Sequence, residues 1–507
     1  MVRDWTKSML VATAACAVTA VASPTEFRCT EDTAPMQARL AYSGDNGMTV
    51  SWNTYSKLQQ PHVRYGRNPH ALSHLADSDV SVTYPTSTTY NNHVKITGLE
   101  PNTMYYYQPQ CGNSTQIYTM KTARVPGDKT PFTIAVGGDL GLMGPEGLTT
   151  TTGPNGGTAP LGPNDSTTLQ SLQSMESEWE FYWHPGDIAY ADYWLKEEAQ
   201  GFLPNFTVSD GPALYESLLN QFYDEMTPLT ANRPYMVGPG NHDSNCDNGG
   251  TSVNGVAYNV SICPMGQTNF TGFRNHYRMP SDVSGGVGNF WYSFDHGMTH
   301  FIQLNTETDI GDGFLAPDAP GSSEGMNSGP FGSYPNEQID WLKKDLESVD
   351  RKKTPWVIAA VHRPWYVSAN NISSTICTIC KDVFEPLLVE HNVDLVIQAH
   401  NHFYERNQPL NDYVIDPAGL NNPTSPWYIT TAAPGHYSGL DKYLSPLKPY
   451  VVYAEDTAYG WSKITFHNCT HMTHDFVSSS NNTILDTATL YKDRKCNSEN
   501  AQHHGWF

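Results

Sequence analysis

Five segments of this 507-residue chain end a hydrophobic run on a side chain that binds metal ions. They are Gly138-Asp139-Leu140-Gly141, Gly186-Asp187-Ile188-Ala189-Tyr190, Gly240-Asn241-His242-Asp243, Val361-His362 and His400-Asn401-His402. In layered α/β folds, functional side chains gather at the carboxyl ends of buried strands. The five motifs are therefore expected at the carboxyl ends of strands. Phe132–Val136, Trp356–Ala360 and Val393–Ile397 are largely apolar, as strands buried on both faces are. Leu169–Trp179 and Gln338–Leu346 read as helices between strands, the second clearly amphipathic.

The segment before them follows a different pattern. Met48-Thr49-Val50-Ser51-Trp52 and His93-Val94-Lys95-Ile96-Thr97 alternate, Met104–Tyr107 is strongly strand-forming, and turn clusters separate the runs. Short, regularly spaced strands predict a β-sandwich of immunoglobulin or fibronectin type. This segment holds no cluster of metal ligands and reads as a scaffold, with Arg124–Asp128 as the linker out of it. Gly144–Thr168 and Gly311–Pro335 read as long surface loops. Beyond about Pro426, Tyr459–Asn468 and Met472–Val477 are expected to add strands to the second domain.

The start of the chain has the form of an export signal. Arg3 and Lys7 precede an apolar run from Met9 to Ala22, and Ala20-Val21-Ala22 offers a cleavage site. No later stretch is apolar enough to span a bilayer. The expected product is exported, either extracellular or delivered to a vacuole-like compartment. Of nine cysteines, Cys16 leaves with the signal, and the other eight suggest disulfides. Many pairings are open; locality favours Cys29–Cys111, Cys246–Cys263, Cys377–Cys380 and Cys469–Cys496. Asn113, Asn164, Asn205, Asn259, Asn269, Asn371, Asn468 and Asn481 stand in glycosylation acceptors. A formal charge of -22 disfavours nucleic-acid binding, because a phosphate backbone would be repelled.

The five motifs offer Asp, Asp, Tyr, Asn and His, the mixture that two adjacent ions need. A metal pair about 3.5–4 Å apart can both generate a nucleophile and neutralise the charge of a phosphate ester. The pair needs a shared ligand, and Asp187 is the natural one because its motif also carries Tyr190. Phenolate suits hard, oxidised iron rather than zinc or magnesium.

In this order and form the motifs resemble those of the purple acid phosphatases, a branch of the metallophosphoesterases, and in particular their large two-domain type. The resemblance covers nearly all of the chain after the leader. It implies a fibronectin III-like N-terminal domain over residues 30–125, following a signal peptide at 1–22. It further implies a calcineurin-like catalytic domain over 131–425, an α/β fold in which a β-sandwich is flanked by helices, completed by a C-terminal segment at 426–495. It also implies Fe(III) on Asp139, Asp187, Tyr190 and His402, and a divalent Fe, Zn or Mn ion on Asp187, Asn241, His362 and His400. Asn241 and His242 would meet the substrate, with His242 binding phosphate or protonating the leaving oxygen. The implied activity is that of an exported acid phosphatase, hydrolysing small phosphate monoesters by attack of a metal-bound hydroxide. Phytase and phosphodiesterase or nucleotide pyrophosphatase activity on the same centre are neighbouring readings; an inactive adhesive glycoprotein is a reading from another class.

Some positions depart from the family pattern. Ala399 stands where Gly is usual, and Ala359 where Val is. After Pro364-Trp365-Tyr366, plant relatives carry further substrate-side histidines where this chain has Ser368-Ala369-Asn370-Asn371-Ile372. His436 is a candidate replacement. His184 and Asp192 read equally as supports behind the ligands or as structural residues, and Asp243 either orients His242 or caps a helix.

Overall fold

The structure is a computed structural model that describes residues 29–143, 161–162, 164–194, 207–244, 252–253, 256–257, 266, 268–310, 331–334, 336–369, 376–435 and 439–496. The first eight strands are β1 (Met36–Tyr42), β2 (Met48–Thr54), β3 (His62–Gly66), β4 (His74–Asp77), β5 (Ser81–Val82), β6 (Tyr90–Ile96), β7 (Met104–Pro109) and β8 (Tyr118–Lys121). They form two antiparallel sheets, β1-β2-β6-β5 and β4-β3-β7-β8, which is the expected sandwich. The alternation in β2 explains it: Met48, Val50 and Trp52 are fully buried, and β2 pairs with β6 along its whole length.

Arg124–Asp128 is not a slack connection. Arg124 is largely buried and pairs with Glu180 at 2.7 Å and Asp128 at 3.3 Å. Glu180 also receives Lys121 and His296, each at 2.8 Å. The sandwich is further docked by Arg39, whose Nε donates to the His276 carbonyl at 2.8 Å, and by Tyr107, whose hydroxyl donates to the Ala231 carbonyl at 2.8 Å.

The rest of the chain runs through β9 (Phe132–Val136), α1 (Thr168–Ser174), β10 (Tyr182–Pro185), α2 (Gly211–Thr230), β11 (Tyr235–Gly238), the hairpin β12–β13 (Ser252–Val253, Val256–Ala257), and α3 (Thr271–His276). Next come α4 (Ser281–Ser284), β14 (Tyr292–His296), β15 (Thr299–Gln303), α5 (Glu337–Ser348), β16 (Trp356–Ala360), α6 (Thr378–Glu390), β17 (Leu395–Gln398) and β18 (Tyr404–Asn407). The chain closes with the hairpin β19–β20 (Leu410–Asn411, Val414–Ile415), β21 (Trp427–Thr431), β22 (Val451–Glu455), β23 (Gly460–Phe466), β24 (His471–Ser478) and β25 (Ile484–Tyr491).

Two mixed sheets result, ordered β11-β10-β9-β23-β24-β25 and β14-β15-β16-β17-β21-β18-β22. Strands β9, β10 and β11 are parallel to one another, as are β15, β16, β17 and β21. Aromatic rings fill the space between the sheets: Trp183 meets Phe301 at 5.5 Å, and Phe301 meets Phe466 at 5.9 Å. The late strands complete the first sheet, with β23 running antiparallel along β9 from Ser462↔Val136 to Phe466↔Phe132.

The helix expected over Leu169–Trp179 is shorter, giving way after Ser174 to a single turn at Glu176–Glu178. Four helices, α2, α3, α4 and α6, lie where no helix was expected. Cys29–Cys111, Cys377–Cys380 and Cys469–Cys496 are disulfides; Cys246–Cys263 lies outside the described residues, as do the signal segment and most of the two long loops. Asn113, Asn164, Asn269, Asn468 and Asn481 are all exposed, whereas Asn205, Asn259 and Asn371 are outside the described residues. Among the described residues, no helix is long and apolar enough to cross a membrane.

Candidate metal centre

Each motif sits just past the carboxyl end of its strand: Asp139 after β9, Asp187 after β10, Asn241 after β11, His362 after β16, His400 and His402 after β17. The backbone is strained there. Asp139, Asp187, Tyr190 and His400 have φ of 63°, 55°, 52° and 71°, a region non-glycine residues avoid at a cost of about 1–3 kcal/mol each. Such strain turns these side chains inward from chain that has just left the ladder. Two glycines make room for them. A Cβ on Gly240 would strike the backbone nitrogen and carboxylate of Asp187, and one on Gly186 (φ 101°) would meet His362 Nδ1 at 2.5 Å.

The seven side chains converge. The Tyr190 hydroxyl is 2.9 Å from Asp139 Oδ1, 3.2 Å from Asp187 Oδ2 and 2.6 Å from His402 Nε2. His362 Nε2 is 3.1 Å from the same Asp187 Oδ2, 3.0 Å from Asn241 Oδ1 and 3.2 Å from His400 Nδ1. The Asp187 carboxylate touches side chains of both groups, and Asp139 Oδ2 accepts the His400 backbone N–H at 2.9 Å. The outer ring nitrogens are held by carbonyls: His362 Nδ1 faces Pro185 O at 3.2 Å, and His402 Nδ1 faces Gly439 O at 3.3 Å. Donating there leaves each Nε2 lone pair pointing into the cluster.

This donor set fits a pair of cations. Lone pairs from Asp, Asn and two His meet within about hydrogen-bond distance, with too few protons to separate them. Burial, and then the charges of Asp139 and Asp187, hold the Tyr190 phenol well above its ordinary pKa, so phenolate forms there only against a strong positive charge.

The surrounding residues divide the support. Asp243 does not orient His242. Its carboxylate accepts the backbone N–H groups of Gly240 at 2.8 Å, Asp187 at 3.1 Å and Ile188 at 3.2 Å, which fixes two ligand loops together. Asp192 is the partner of His242, with Oδ2 2.7 Å from Nδ1. The His242 ring is further held by Tyr190 and Tyr193, with centroids at 4.3 and 4.7 Å. His184 is pushed down to about 3 by burial and is therefore neutral; its Nδ1 meets Tyr235 Oη at 2.6 Å. Sequence reasoning passed over Arg363, which follows His362 directly. Its Nε donates to Glu307 at 2.9 Å in a fully buried ion pair, and its Nη1 lies 3.5 Å from His400 Nε2. It also passed over Asp441, which accepts the His402 backbone N–H at 2.9 Å. Only chain folding brings Glu307 and Asp441 near the motifs. His436 is outside the described residues.

Three family models match the chain: purple acid phosphatase N-terminal domain at 35–122, calcineurin-like phosphoesterase at 133–404, and iron/zinc purple acid phosphatase-like protein C at 425–487. Acid phosphatase A of Cryphonectria parasitica is 39% identical over 502 residues, spanning 94% of this chain and 95% of that protein. The chain belongs to the purple acid phosphatases. An acid phosphatase of Aspergillus ficuum is 31% identical over 88% of this chain and 85% of its own. The fold is that of a purple acid phosphatase from yellow lupin (Lupinus luteus) seeds, with a TM-score of 0.66 at 20% identity, covering 91% of this chain and 75% of that one. As a purple acid phosphatase, this protein is a phosphoester hydrolase built on a binuclear metal centre.

The Ala399 departure has a local reason. A Cβ on Gly138 would lie 2.6 Å from the Ala399 methyl, so the glycine of the first motif leaves room for the extra methyl of the fifth.

Proposed function

We propose that this purple acid phosphatase is an exported acid phosphomonoesterase with two unlike ions. A ferric ion would be held by Asp139, Asp187, Tyr190 and His402, and a divalent Fe, Zn or Mn ion by Asp187, Asn241, His362 and His400. One observation carries the assignment: the Tyr190 hydroxyl stands among Asp139, Asp187 and His402. When bound, such a pair supplies positive charge against the phosphate oxygens and makes water nucleophilic at acid pH.

The side chains do the rest. His242 gives Nδ1 to Asp192, so Nε2 is the nitrogen able to carry a proton to the leaving oxygen. The Tyr190 and Tyr193 rings restrict the imidazole's rotation while this occurs. Asn241 and His242 would meet the phosphate, and His436 stands as a further substrate-side candidate. Domain limits of 30–125, 131–425 and 426–495 follow the change from sandwich to ligand-bearing sheets. Export, either extracellular or vacuolar, is supported by the leader-like start and by the exposure of the five described acceptor asparagines.

Metal analysis together with a visible spectrum tests the reading. One iron per chain and a phenolate-to-iron band are expected, and Tyr190→Phe should lose the band. Colour that persists in that variant would refute the assignment. Hydrolysis of p-nitrophenyl phosphate well above that of its bis ester is the expected substrate preference.

A further inference from the structure

The sandwich carries no metal ligand, yet it grips the helix that lies behind His242. Glu216 of α2 is buried, and both of its carboxylate oxygens are taken by the sandwich loop after β5. Tyr84 donates its hydroxyl to Oε2 at 2.9 Å and Thr86 donates to Oε1 at 2.7 Å. Gly266 closes over this group so tightly that a Cβ there would run into Thr86 Oγ1. Burial raises the Glu216 carboxyl above its ordinary range, a cost that an apolar docking contact would not carry.

The next element of the contact chain points at the site. Tyr215 lines a cavity of about 10 Å³ shared with Tyr190, His242 and Asp243, room for one water molecule. The Tyr84 and Tyr215 hydroxyls converge on Gly272, where an added Cβ would lie 3.5 and 3.3 Å from them. At the start of α2, Gly211 lies so close to the Trp194 ring that no Cβ would fit. Trp194 directly follows the turn Ala191–Tyr193, which supplies Asp192 and Tyr193 to His242. Helix α2 therefore meets the His242 assembly at both Trp194 and Tyr215, and the residue next to Tyr215, Glu216, ties the same turn of the helix to the sandwich.

We propose that Glu216, held by Tyr84 and Thr86, is a positioning residue through which the sandwich sets the place of His242. The proposal rests on the reading of His242 as proton donor to the leaving oxygen. Directional hydrogen bonds fix the rotation and height of α2 in a way that apolar packing alone does not. A displacement of about 1 Å in a catalytic group can cost on the order of 10²-fold in rate.

The test compares an alkyl phosphate, whose leaving oxygen needs a proton, with p-nitrophenyl phosphate, whose leaving oxygen scarcely does. Tyr84→Phe with Thr86→Val should lower kcat on the alkyl ester by about 5- to 10-fold and on the aryl ester by less than about 2-fold. KM and bound metal should be unchanged. Glu216→Leu should behave like the double variant, and Glu216→Gln, which keeps a carbonyl acceptor, should recover most of the rate. Thr86→Val alone keeps the test available should the double variant fail to fold. Equal losses on both esters, losses that follow metal content, or no loss would overturn the proposal. His242→Ala is the control: if it affects both esters alike, the proton-donor reading itself fails. If it shows the ester dependence and the sandwich variants do not, only the positioning role falls.

Discussion

His242 Nδ1 and Asp192 Oδ2 lie 2.7 Å apart, with 9% of the histidine side chain and none of the aspartate exposed. An imidazole held this way keeps one orientation. A general acid contributes about 10²–10⁴-fold. Asp192→Asn should forfeit part of that, lowering kcat about 10- to 100-fold while the metal content stays at the parent value. Steady-state kinetics beside metal analysis reads this directly; loss of metal together with rate would assign Asp192 to the ion site instead.

Gly240→Ala should do the reverse. Its Cβ would strike the backbone nitrogen and Oδ1 of Asp187, the carboxylate proposed to bridge the two ions. A well-packed interior does not absorb such an overlap without displacement. At least one of the two ions should be lost per chain. Metal analysis of the purified variant decides the matter, and a full complement would show that the loop yields.

Glu405 links stability to pH. Burial raises its pKa to about 8, despite the hydrogen bond that it accepts from the Ser368 backbone N–H at 3.0 Å. The folded protein thus holds a proton that the unfolded chain releases near 4.5. Its contribution is complete below pH 4.5 and declines as pH rises toward 8. Glu405→Gln keeps the shape without the titration, so it should raise Tm at pH 8 and leave it nearly unchanged at pH 4.5. Calorimetry at the two pH values checks this.

His300 acts in the same direction over a higher range. Burial alone would lower its pKa, but hydrogen bonds to Asp295 and Asp345, at 2.6 and 2.9 Å, raise it to about 9. Its contribution is present below pH 6.5 and is lost as pH passes through 9, a change on the order of 3 kcal/mol. His300→Gln should flatten the unfolding free energy between pH 6.5 and 9. A variant that retains the parent slope would exclude His300 as its source.

The positions proposed as ligands were readable because each stands where an apolar run stops, and strand ends are local features of sequence. Their supports were not. Glu307 meets Arg363 across 56 residues, and Asp192 meets His242 across 50, distances over which composition carries no signal. Helix α2 was hidden by Gly211-Pro212 at its start and Pro228 within it, residues that usually punctuate rather than build a helix. Arg124–Asp128 does connect β8 to β9, but its anchoring was as hidden as the other supports: Glu180, the acid that holds Arg124, lies 56 residues away.

Strand β9, which leads to Asp139, lies between β10 and β23, and its antiparallel neighbour comes from Gly460–Phe466, more than 320 residues later. During synthesis the first ligand strand must therefore wait, with one edge unpaired, until nearly the whole chain has emerged. Contacts of such separation slow folding and leave an edge open to wrong partners. A chain that stops short of β23 would leave the strand before Asp139 without its antiparallel neighbour.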